Sequence, residues 1–143
     1  MKKLLTMLTA ITLITGFSAS TLSASAPKQA KGKPFLIQGK LPHLTMMVKV
    51  LWDDEDLALT KEQKTKLLQI RKDTMSGAKG LAKQINPLEA KIVKKSFEGA
   101  TPASLQADVE KLANLRAKAT MIHLECIYNT RAVLTKEQLY ILE

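Results

Sequence analysis

The side chains best suited to coordination or redox chemistry are scarce in this 143-residue chain: two His, one Cys and six Met. Most of them fall in two clusters. His43, Met46 and Met47 stand at i, i+3 and i+4, the spacing of one helix face, and His123 and Cys126 stand at i and i+3 with Met121 and Glu125 nearby. Soft sulfur and imidazole donors at such spacing suit zinc, copper, nickel or cobalt, provided the two helices pack together. The candidate ligand set is His43, Met47, His123 and Cys126. The competing reading places His123 and Cys126 within an apolar stripe, as a core imidazole and an inert thiol, and with so few donors no cofactor is expected. Imidazoles more than about 10 Å apart exclude a shared ion, whereas rings within about 5 Å and without another partner put metal binding first. Cys126 with His123 as its base supplies neither an oxyanion hole nor a substrate cleft, so the chain does not read as an enzyme. A disulfide between two copies of Cys126 requires both to meet at a two-fold axis.

The second available chemistry is electrostatic. Lys and Arg outnumber Asp and Glu by 22 to 13, for a formal net charge of +9. Nucleic acid does not fit as the partner, because aromatic residues make up 4% and none interleaves the lysines as a stacking platform. A basic surface also captures acidic or unfolded chains through fast, salt-sensitive encounter. Lys91, Lys94 and Lys95 are candidates for that step, and Met46 and Met47 for adaptable apolar contact afterwards. At least one of this Met pair is expected in the core.

These groups need elements to position them. Lys2 and Lys3, an apolar run over 4–17 and small residues to Ala26 read as a cleavable signal peptide of residues 1–24. Export predicts a periplasmic location without stable membrane insertion, and loss of the two leader lysines lowers the charge to +7. Residues 25–40 read as a mobile basic arm in which Phe35, Leu36 and Ile37 can dock. Residues 41–143 then read as one all-α domain. Leu44, Met47, Val48 and Leu51 form the stripe of a short first helix. Thr60 opens a second, with a bend expected at Gly77 and Gly80 and a fresh start at Asn86-Pro87. Thr101-Pro102 opens the longest helix, with a stripe at Leu105, Val109, Leu112, Leu115, Ala119, Ile122 and Cys126. That near-heptad seam predicts an elongated subunit and a homodimer.

The most specific signal is a repeated pentapeptide, Leu-Thr-Lys-Glu-Gln, at Leu59–Gln63 and again at Leu134–Gln138. In each copy Thr (Thr60, Thr135) at N-cap and Gln (Gln63, Gln138) at N3 make a capping box, which satisfies two orphan helix donors. Two such motifs flanking a long helix, behind an export signal in a small basic chain, resemble the Spy/CpxP family of periplasmic stress proteins. Pro42-His43, Met46-Met47 and Ile127-Tyr128-Asn129 add to the likeness. The resemblance implies a four-helix, hairpin-like subunit in a cradle-shaped antiparallel dimer. It implies ATP-independent chaperone activity on unfolded periplasmic proteins and, in some members, restraint of a sensor kinase. The alternative it implies is a metal-responsive sensor or metal-resistance protein on the same fold.

Overall fold

The computed structural model describes residues 33–37 and 39–142. The expected leader (1–24) and the first part of the arm (25–32) lie outside the described residues. Helices are the only regular elements among those described: α1 Leu44–Val50, α2 Lys61–Phe97, α3 Pro102–Val133 and α4 Lys136–Leu142. The all-α reading therefore holds. Helices α2 and α3 pair along their length as a hairpin, and α1 lies against α3 and α4 at its open end.

Local sequence explains most helix boundaries. Thr60 Oγ1 accepts the Gln63 N–H at 3.1 Å, and Gln63 Oε1 accepts the Thr60 N–H at 3.0 Å. Thr101 caps α3 by accepting from Ser104 N, with Pro102 in the first turn, where its missing N–H costs nothing. Between the helices Gly99 turns the chain with φ +85°, a left-handed conformation that a side chain would strain.

The break expected at Asn86-Pro87 does not occur, and α2 runs unbroken for 37 residues, about 55 Å. It is longer than α3, which has 32. A proline inside a helix costs about 3 kcal/mol. Against that, Ile85 is fully buried and Leu88 packs into the same cluster, and such burials contribute about 1.5–3 kcal/mol each. Packing wins over the local preference. Nor is the helix interrupted at Gly77 or Gly80. On α3 the inner face departs from the expected stripe. Val109 is 47% exposed and Thr120 and Thr130 are buried instead, while His123 and Cys126 are buried as the competing core reading places them. The two threonine hydroxyls satisfy themselves by donating to the carbonyls of Arg116 and Cys126.

Two apolar clusters result. One, at the open end, gathers Val48, Leu57, Leu67, Leu134 and Leu142, with Met47 packed against it. The other lies mid-hairpin, with Ile85, Leu115 and Ala119 at its centre and Phe35 of the arm on top. The described part of the arm is thus docked through Phe35, while Leu36 and Ile37 stay exposed.

The two helical glycines should respond differently to alanine. At Gly80 a new Cβ meets nothing within 4 Å, so Gly80→Ala should stabilise by about 0.5–1 kcal/mol in urea unfolding. At Gly77 it would lie 2.9 Å from Ile122 Cδ1, so Gly77→Ala should gain less or lose stability. Equal gains at both sites would contradict this packing.

Candidate functional site

A cleft of about 400 Å³ opens where the arm, α1 and the hairpin meet. Phe35, His43, Met46, Met75, His123 and Cys126 line it, with Arg71 beside them. The imidazoles of His43 and His123 stack at 4.7 Å between centroids with 20° between planes, and Phe35 lies 4.9 Å from His123 on a tilted plane. His123 is buried, and its Nδ1 has no hydrogen-bond partner among the described residues. Burial pushes its pKa below the ordinary 6.5, reinforced by the charge of His43 and Lys33 and opposed by a hydrogen bond with the Pro42 backbone. Cys126 Sγ makes only a long contact with Thr45 Oγ1, at 3.9 Å.

The repeated pentapeptides hold the end of the hairpin beside this cleft. Gln138 caps α4 as Gln63 caps α2: its Oε1 accepts the Thr135 N–H at 3.0 Å, and its N–H donates to Thr135 Oγ1 at 3.2 Å. The two caps then pair with each other. Gln63 Nε2 donates to Gln138 Oε1 at 2.8 Å, and Gln138 Nε2 donates to Gln63 Oε1 at 3.2 Å. Each amide spends its second N–H on a backbone carbonyl, Gln63 on Val133 (3.0 Å) and Gln138 on Leu57 (2.8 Å). Both carboxamides thereby use two donors and two acceptor sites. Residues 54–142 match the family described as LTXXQ motif family protein. The chain belongs to that family. The LTXXQ family includes Spy and CpxP and is typically extracytoplasmic. No described helix is long and apolar enough to cross a membrane. No curated protein and no solved structure matches the chain.

The structure divides the residues that the sequence groups together. His43, His123 and Cys126 share the cleft, but Met47 is turned into the open-end core, and Met46 lines the cleft in its place. Consecutive helical residues point about 100° apart, so only one of the pair can face inward. The four candidate ligands do not all converge, because Met47 leaves the cleft. Among the described residues no three His, Cys, Asp or Glu side chains form a group that could hold an ion. The lone pairs of two stacked imidazoles lie in nearly parallel planes and do not meet at one point. His43 and His123 are close enough, but His123 also has Phe35 and the Pro42 backbone as partners. The condition for putting metal first is therefore not met.

The three candidate lysines sit far from the cleft. Lys91 and Lys95 bond to Asp108 at 2.8 and 3.5 Å, and Lys94 reaches Glu98 at 3.7 Å. The Lys91 hydrogen bond holds the Asp108 carboxyl below its usual range. They lie some 16–20 residues along α2 from Met75, about 24–30 Å at the helical rise. Arg71 and Met75 are the cleft residues that sequence reading misses; they follow Leu67 by one and two helical turns on the same face, which is the signal that could have found them.

Because His123 resists protonation when folded, the unfolded chain binds a proton first as pH falls below about 6.5. Stability should accordingly drop between pH 7.5 and 5.5. His123→Phe should lose less than the wild type over that interval in thermal melts, and equal losses would show that His123 does not carry the dependence.

Proposed function

We propose that this LTXXQ family member is a periplasmic chaperone that captures unfolded segments in the cleft, without nucleotide or covalent chemistry. The observation that carries the reading is the cleft wall. Met46 and Met75 are 52% and 57% exposed at its rim, where they are available to a partner that the folded chain does not supply. Thioethers adapt to varied shapes, which suits a partner of no fixed sequence. Burying the exposed half of two such side chains contributes about 1.5–3 kcal/mol before ordering costs, which suits a weak, rapidly exchanging hold shared with other contacts. The positive charge of the mature chain raises the encounter rate. A second copy packed antiparallel, as family membership suggests, would present two clefts together. A stress-sensor kinase is a further partner that some family members engage.

A second reading, metal binding, has one observation in its favour: the unpartnered Nδ1 of His123 beside the His43 ring. It requires the exposed His43 to rotate out of the stack before both imidazoles can face one ion.

The discriminating experiment follows aggregation of an unfolded client. Equimolar protein should slow it at low salt and less at high salt, and Met75→Glu should remove most of the effect without unfolding the chain. Unchanged aggregation kinetics at equimolar dose and low salt would refute the chaperone reading. Protection that appears only with added Zn²⁺, Cu²⁺ or Ni²⁺ would favour the metal reading.

A further inference from the structure

The docked arm is held in large part through its backbone. Arg116 Nη1 donates to the carbonyls of Lys33 (3.1 Å) and Phe35 (3.2 Å), and Leu36 N–H donates to Thr120 Oγ1 at 2.8 Å. All three contacts are with main-chain atoms, which any segment possesses, and the chain bends at residues 34, 36 and 37 to make them. The receiving groups are themselves fixed. The Arg116 guanidinium pairs with Glu89, and the Thr120 hydroxyl donates to the Arg116 carbonyl, leaving its lone pairs for the incoming N–H. From the segment, Phe35 packs onto the body of the protein, over Ile85, Leu115 and Ala119. Its neighbours Leu36 and Ile37 are 55% and 41% exposed, so the segment is gripped along one edge. Phe35 also forms part of the wall of the Met46–Met75 cleft.

A site that reads backbone polar groups and one aromatic ring is a receptor for unfolded chain. We propose that residues 33–37 act as a built-in stand-in for a client. They occupy a groove, formed by Arg116, Thr120 and the Ile85–Leu115–Ala119 cluster, that accepts an unfolded segment able to bend in the same way around an aromatic residue. The inference rests on the chaperone reading and adds to it the ligand class and a built-in competitor. Release of the arm uncovers the aromatic pocket and joins it to the methionine-rimmed cleft, lengthening the surface open to a client. Tethering keeps the arm at a high effective concentration, so only a client that is abundant or bound at several points displaces it.

The test uses full-length mature protein and a fluorescent synthetic peptide with the sequence of residues 33–37, read by polarisation. A second peptide carries Ala for the aromatic residue. Phe35→Ala in the protein empties the pocket from within. Leu36→Pro removes the N–H given to Thr120 and leaves every groove residue intact, so it answers the question if the first variant folds poorly. An arm docked about nine-tenths of the time lowers apparent affinity about tenfold, so both variants should bind the peptide roughly tenfold more tightly than wild type. Thr120→Val in the Phe35→Ala background should reverse most of that gain, and the Ala peptide should bind none of the proteins. Equal affinity for wild type and both unlatched variants, or equal binding of the two peptides, overturns the proposal. If neither variant binds the peptide while wild type still suppresses aggregation, the groove proposal falls and the chaperone reading stands. Tight, aromatic-dependent peptide binding by a protein that suppresses no aggregation leaves the groove in place and removes the chaperone role.

Discussion

The side-chain amides of Gln63 and Gln138 tie together two helix starts 75 residues apart, and the open end of the molecule is arranged around that pair. Each amide completes its own capping box, bonds its counterpart and takes one carbonyl of the segment leading to the other motif. The order of α2, α4 and the 51–60 loop follows from these bonds, and α1 rests on the result through Val48, Leu57 and Leu134. A carboxylate cannot do this, because it accepts hydrogen bonds without donating them. The loop bears some strain in reaching its place. Ala58 lies in the left-handed region at φ 41°, beside the Leu57 carbonyl that Gln138 holds. Buried amides left without partners are costly, so the two motifs stand or fall together.

What could be read from the sequence was what local physics decides. The capping boxes, the Pro102 start and the Gly99 turn depend on residues within one helical turn, and all three are where the pattern puts them. Pairing between the boxes is a tertiary event invisible to that pattern, although Gln rather than Glu at both N3 positions hinted at a need for donors. The course of α2 past Pro87 was decided by burial of Ile85 and Leu88 on a partner helix. The pairing of His43 with His123 was legible as two clusters on two helices. Their stacking was not, because ring orientation depends on Phe35 of the arm and on the Pro42 backbone before α1.

The charges divide by location in a way that composition conceals. At the closed end of the hairpin Lys91 and Lys95 bridge α2 to Asp108 of α3, and Lys94 pairs with Glu98 along α2 itself. Mid-hairpin, Arg116 and Glu89 turn an ion pair into a clamp for backbone carbonyls. Beside the cleft Arg71 stands next to exposed methionine. Exposed apolar side chains and a cation thus lie together along the face that α1 and the arm partly cover, as the proposed capture requires, and the amide pair keeps α1 on that face.

The most direct test of this arrangement is a double-mutant cycle on Gln63→Leu and Gln138→Leu, read as unfolding free energy in urea. Because each single change strands the opposite amide, the pair should be strongly non-additive, with a coupling energy of about 0.5–3 kcal/mol and a double variant less damaged than the two singles predict together. Additivity within about 0.3–0.5 kcal/mol would mean that the two motifs act as independent helix caps, and the account built on their pairing would be wrong.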